Sequence, residues 1–105
     1  MFDNYFGTPF AREDRTVSTT QLSLTAATYN TTDKRARIAV VTVEAQPIRY
    51  TRDGTTINGG ATPPVGDVHA AGNDPIILID RTAIANFRMV RSGGTDATVH
   101  VTYYA

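Results

Sequence analysis

The stretch from Ala97 to Tyr104 alternates without a break. Ala97, Val99, Val101 and Tyr103 fall on one parity, and Thr98, His100, Thr102 and Tyr104 on the other. Successive side chains of an extended chain point to opposite faces, so this period of two predicts a strand with one buried and one partly wet face. Arg37 to Ala45 repeats the pattern, with Ala39, Val41, Val43 and Ala45 set against Ile38, Val40, Thr42 and Glu44. Its first half is apolar on both faces, as expected of a central strand. Threonine reinforces the reading: seventeen of the 105 residues are Thr and three are Ser. A β-branched side chain is stiff at χ1 and suits a pleated, half-wet surface better than a helix.

Shorter strand signals fill the rest. Ile48 to Arg52 alternates and ends at the turn pair Asp53-Gly54; Pro47 before it has no amide hydrogen for a ladder and marks a bend. Gly59-Gly60 and Pro63-Pro64 make residues 55–66 a loop, with a weak strand following over 68–70. Gly72-Asn73-Asp74-Pro75 is a turn ahead of the buried-type run 76–79, and Asp80 is placed to cap a helical turn over 81–86. Residues 87–91 form the next strand, joined through Ser92-Gly93-Gly94-Thr95-Asp96 to the last. Residues 16–24 read as an earlier strand. Residues 1–15 carry Phe2, Tyr5, Phe6 and Phe10 without a sustained period, and are expected to be an extended aromatic arm. The expectation is an all-β chain: an arm over 1–15, then a single β-sandwich domain over 16–105. Six to eight short antiparallel strands would form it, in a jelly-roll or Ig-like arrangement.

Composition excludes several functions. The length suits one small domain. Ten basic residues balance ten acidic ones, which argues against non-specific nucleic-acid binding. The chain has no cysteine, hence no disulfide, thiolate nucleophile or thiolate metal site. The longest apolar run is Ile76 to Ile79, far short of a bilayer span, and no secretory leader is read at the N-terminus. No membrane partner is expected.

The catalytic inventory is thin. Only His69 and His100 are of the residue type that could serve as a neutral-pH base, and Ser18, Ser23 and Ser92 stand in no nucleophile-elbow pattern. His100, in mid-strand, reads as a partly exposed sheet residue; His69, beside the long loop, is somewhat more open to function. The two histidines are not at metal-ligand spacing, and the aspartates suit turns and caps better than a calcium loop. Gly59-Gly60 lacks the following helix and lysine of a phosphate loop, the sole lysine being Lys34. Asn30-Thr31-Thr32 matches the glycosylation pattern without a leader to support it. No enzyme activity, cofactor or metal is expected.

Nine arginines against one lysine favour contact surfaces, because a guanidinium makes planar, bidentate pairs and stacks on rings. Arg49 and Arg52 flank Tyr50, and Arg88 and Arg91 flank Met89-Val90. These four arginines, with Phe2, Tyr5, Phe6 and Phe10, are the expected protein-interface residues. The rings of the arm need a surface to cover them, supplied by the chain's own sheets or by a partner.

Four segments carry a family resemblance: Ile48 to Thr55 (IRYTRDGT), His69 to Gly72 (HAAG), Phe87 to Arg91 (FRMVR) and Val101 to Tyr104 (VTYY). Together they resemble small all-β structural proteins of tailed-bacteriophage virions. The resemblance implies a head decoration or cement protein on the capsid surface, made in the host cytoplasm, that bridges and stabilises major capsid subunits. Its partners would be the major capsid protein and copies of itself, in a homo-oligomer such as a trimer. A tail or connector subunit is the nearest variant. The hairpin is also similar to one in Ig-like modules appended to bacterial carbohydrate enzymes, which supports a sandwich topology; the other reading is a binding module in which the 55–72 loop and an exposed Tyr103 or Tyr104 hold a glycan or host receptor.

Overall fold

The computed structural model describes residues 8–57 and 66–105. Among them, eight strands form two four-stranded antiparallel sheets, and the chain is all-β. The strands are β1 (Pro9–Val17), β2 (Leu22–Ser23), β3 (Ile38–Glu44), β4 (Ile48–Thr51), β5 (Asp67–His69), β6 (Ile76–Leu78), β7 (Arg88–Arg91) and β8 (Ala97–Tyr104). Two short helices, α1 (Ala26–Tyr29) and α2 (Arg81–Asn86), lie in the connections. No helix among the described residues is long and apolar enough to cross a membrane.

One sheet has the order β1-β8-β3-β6 and the other β2-β7-β4-β5. The pairing is nested: β1 pairs with β8, β2 with β7, β3 with β6 and β4 with β5. The contacts β3 to β8 and β4 to β7 then complete each sheet. The inward parity of β8 and β3 is that of the sequence: Ala97, Val99, Val101 and Tyr103 are fully buried, as are Ala39 and Val41. From the second sheet Ile48 and Met89, with Phe87 beside them, join the same apolar cluster. One core is therefore built from both sheets. Asp80 caps α2 as its position suggests, its carboxylate accepting the Ala83 amide at 2.7 Å.

Residues 9–15, assigned to the arm from sequence, belong to β1, which pairs along nearly the whole of β8. Their period was masked because two inward positions, Glu13 and Arg15, carry charge where a strand buried on one face would carry apolar groups. Residues 16–24 are not one strand: β1 ends at Val17, and β2 is only Leu22–Ser23. Between them the Ser18 hydroxyl accepts the Thr20 amide at 3.3 Å, while the Ser18 carbonyl accepts the Arg91 amide at 2.9 Å. Polar side chains offering local partners favour a turn there. Phe2, Tyr5 and Phe6 lie outside the described residues.

Gly66 fixes how the chain re-enters the second sheet. Its φ is +103°, and a Cβ there would sit 2.8 Å from the Tyr50 carbonyl oxygen. Only glycine meets both conditions at low cost.

Candidate functional site

Antiparallel pairing brings three strands' polar groups together on the outward face of the first sheet. Asp14 on β1 stands directly opposite His100 on β8, and Thr42 on β3 stands opposite His100 on its other side. Glu44, two residues further along β3, reaches back diagonally, a separation that long side chains span. His100 Nδ1 lies 2.7 Å from Asp14 Oδ1, and Nε2 lies 3.0 Å from Glu44 Oε2. Arg12 donates to the same Asp14 oxygen at 2.8 Å.

A neutral imidazole carries one N–H, whereas the imidazolium donates from both nitrogens. Two carboxylates on opposite ring edges therefore select the charged form. The hydrogen bond to Asp14, then that to Glu44, raises the His100 pKa above its ordinary value. His100 and then Arg12 hold the Asp14 carboxyl below the usual range. An imidazolium with both protons engaged offers no lone pair to a metal or a substrate proton. The arrangement ties three strands together and presents a mixed-charge surface.

A second charged group faces inward. The Glu13 carboxylate accepts the Thr25 amide at 3.0 Å and the Tyr103 hydroxyl, with Arg15 3.6 Å away. Its side chain is 10% exposed. Burial opposes its ionisation, but the Thr25 amide, the Tyr103 phenol and Arg15 outweigh that and keep its pKa below the ordinary value. Burial and this carboxylate push the Tyr103 phenol far upward. Arg15 also donates to the Thr25 hydroxyl at 2.8 Å. Glu13 and Arg15 thus fasten the segment before α1 to the edge strand of the first sheet. This is a structural tie.

The second sheet ends in a cleft of about 380 Å³ lined by Tyr50, Arg52, Asp53 and Asp67, among others. The Tyr50 ring is already covered by Arg52, 5.7 Å from its centre, and by Phe87, whose ring centre is also 5.7 Å away. His69 meets the edge of Tyr50 at 6.3 Å, and among the described residues its buried Nε2 has no hydrogen-bond partner.

The expected interface arginines lie on the paired strands β4 and β7, with Arg52 just past the end of β4, and are engaged within the chain. Arg49 donates to the Gly66 carbonyl at 3.0 Å, and Arg88 donates to the Ala85 and Phe87 carbonyls at 2.9 and 3.1 Å. Arg91 pairs with Asp96 at 2.7 Å. Arg52 lies over Tyr50, and Phe10 is partly buried against the core. The pairing of β4 with β7 brings Arg49, Arg88 and Arg91 onto adjacent strands of the second sheet. Sequence reading overlooked the trio of Asp14, His100 and Glu44, because its members are 86 and 56 residues apart. The available signal was that His100 and Glu44 both sit on the wet parity of neighbouring strong strands. Comparison with protein-family models, with curated proteins and with solved structures finds no match.

Proposed function

We propose that this chain is a non-enzymatic structural protein of a tailed-bacteriophage virion, a decoration or cement protein whose sheets close face to face as a jelly roll. The observation that carries this reading is the nested pairing of β1 with β8, β2 with β7, β3 with β6 and β4 with β5, divided between two sheets. Wrapping one long antiparallel hairpin around a core produces that order. Eight-stranded jelly rolls serve as capsid and lectin domains, whereas an Ig-like domain distributes its strands differently. A fold does not fix a function, so the motifs matter as well. The resembling segments coincide with β4, the end of β5, β7 and the second half of β8.

The mechanism is mechanical. The domain sits on the shell, bridges neighbouring major capsid subunits and stabilises them by burying interface, of which specific contacts need about 1,000 Å² or more. Phe2, Tyr5 and Phe6 of the arm extend that contact. Balanced charge lets many copies sit close together without strong mutual repulsion.

The test is co-sedimentation of the full chain with shells of its own virus prepared without it. Saturable retention at a fixed ratio to the capsid subunit, with a raised shell melting temperature, is the expected result. Absence of retention, with binding to isolated tails or to glycans instead, would transfer the chain to one of the other two readings. The cleft at Tyr50 is the observation behind the glycan reading, but Arg52 and Phe87 already occupy that ring.

A further inference from the structure

Six of the nine arginines are engaged inside the chain. Arg12 and Arg91 pair with aspartates, Arg15 with Glu13 and Thr25, Arg49 and Arg88 with carbonyl oxygens, and Arg52 with the Tyr50 ring. The remaining three are Arg35, Arg37 and Arg81. Among the described residues none of their guanidinium groups makes an ion pair or a side-chain hydrogen bond, and all three residues are exposed.

These three are neighbours in space. Arg35 and Arg81 line one cleft of about 220 Å³, together with Tyr29 and Ala85. Arg37 and Arg81 line an adjoining groove of about 460 Å³, whose apolar wall is Ile38 and Ile79. Arg81 is common to both. Ile79 is 72% exposed, the more exposed of the two large apolar side chains that stand open among the described residues. Of the nearby acids, Asp80 is committed to capping α2. Residues 33–37 and 80–81 carry four cationic side chains against two acidic ones, in a chain whose net charge is zero.

We propose that Arg35, Arg37 and Arg81, set around Ile38 and Ile79, form a docking surface for an acidic segment of a partner protein that also carries an apolar side chain. Charge complementarity selects the occupant. Unpaired guanidinium groups around an exposed isoleucine are completed by carboxylates, which they take bidentately, and by an apolar group seated on Ile79. Nucleic acid fits less well. A single strand calls for free aromatic rings as stacking platforms, and the Tyr29 ring in this region already packs on Tyr103 at 5.6 Å; a duplex is held by several unbalanced cations, which a chain of zero net charge does not supply. The inference rests on the reading that the chain works by binding another protein, and it names the surface used.

Two measurements on the full chain separate the claims. The first titrates a fluorescein-labelled synthetic peptide of alternating Glu and Leu against wild type, the triple variant Arg35→Gln, Arg37→Gln, Arg81→Gln, and Ile79→Ser. All four sites are exposed, so unchanged thermal melting is expected and is checked. Arg12→Gln, outside the cluster, is the control. Saturable wild-type binding that weakens at least about tenfold in the triple variant, weakens in Ile79→Ser and survives in Arg12→Gln supports the proposal. Absence of wild-type binding, or equal binding by the triple variant, overturns it. So does a preference for a single-stranded oligonucleotide over the peptide that the same arginines control. The second measurement repeats the shell co-sedimentation with the triple variant. Wild-type and variant chains retained equally leave the virion reading intact and overturn this surface. Loss of wild-type retention with peptide binding preserved does the reverse.

Discussion

His100 Nδ1 and the Asp14 carboxylate meet at 2.7 Å across β1 and β8, although 86 residues separate them in sequence. With Glu44 at 3.0 Å on the other ring edge, the imidazolium joins the edge strand, the central strand and its next neighbour.

This relationship sets a pH dependence. The folded state raises the His100 pKa above 6.5, so folding takes up a proton as pH rises past that value. Its contribution to stability is complete below 6.5 and fades as pH climbs through the raised value. Asp14 acts in the opposite sense, contributing above 3.8 and losing its contribution as pH falls through its depressed value. The network is therefore strongest between these limits. The charged groups facing His100 are Asp14, Glu44 and, through Asp14, Arg12. In urea unfolding of wild type and His100→Gln from about pH 6 to 9, wild-type stability should decline while the variant's curve runs flatter. Parallel curves would show that the imidazolium is not coupled to folding.

Glu13 should behave as a buried anchor. Glu13→Ala strands the Tyr103 hydroxyl, the Thr25 amide and Arg15, and is expected to cost about 1–3 kcal/mol. Tyr103→Phe removes one donor and costs about 0.5–1.5 kcal/mol. A double-mutant cycle between them should give a coupling of about 0.5 kcal/mol or more, because both variants break the same bond. Additive losses in chemical denaturation would mean the two residues act independently.

Ala45 offers a stabilising substitution. It links β3 to β4 with φ at 74°, and the Gln46 amide donates to the Glu44 carbonyl at 2.9 Å across it. A three-residue turn of positive φ is a rare, strained form. The left-handed conformation costs an L-residue roughly 1–2 kcal/mol, while glycine's extra unfolded-state freedom costs about 0.5–1 kcal/mol. Ala45→Gly should therefore gain about 0.5–1 kcal/mol and raise the melting temperature. A lowered melting temperature would mean that the turn is not strained in this way.

How much of this was legible depended on where polar groups fall. Ala97–Tyr104 was readable to the residue, and Ile38–Glu44 and Ile48–Thr51 to within one at each end, because their inward positions are apolar. The cap at Asp80 was equally legible, since a carboxylate one residue before a helical turn serves amides only three residues away. The first strand was hidden. Glu13 and Arg15 occupy inward positions that only Tyr103 and Thr25, far along the chain, make tolerable.

Sequence by itself therefore determined the class: extended segments of period two, punctuated by turns, with an apolar face on the stronger ones. Alternation is a property of one strand and needs no knowledge of its neighbours. The nested order of the two sheets is different, because it depends on which distant segments close on one another, and single-strand patterns are silent about that. Tertiary structure alone placed Asp14 and Glu44 on either side of His100. It also decided which arginines are used internally, leaving Arg35, Arg37 and Arg81 exposed around Ile38 and Ile79. In sequence the nine arginines are alike; partners supplied by the fold make six of them different.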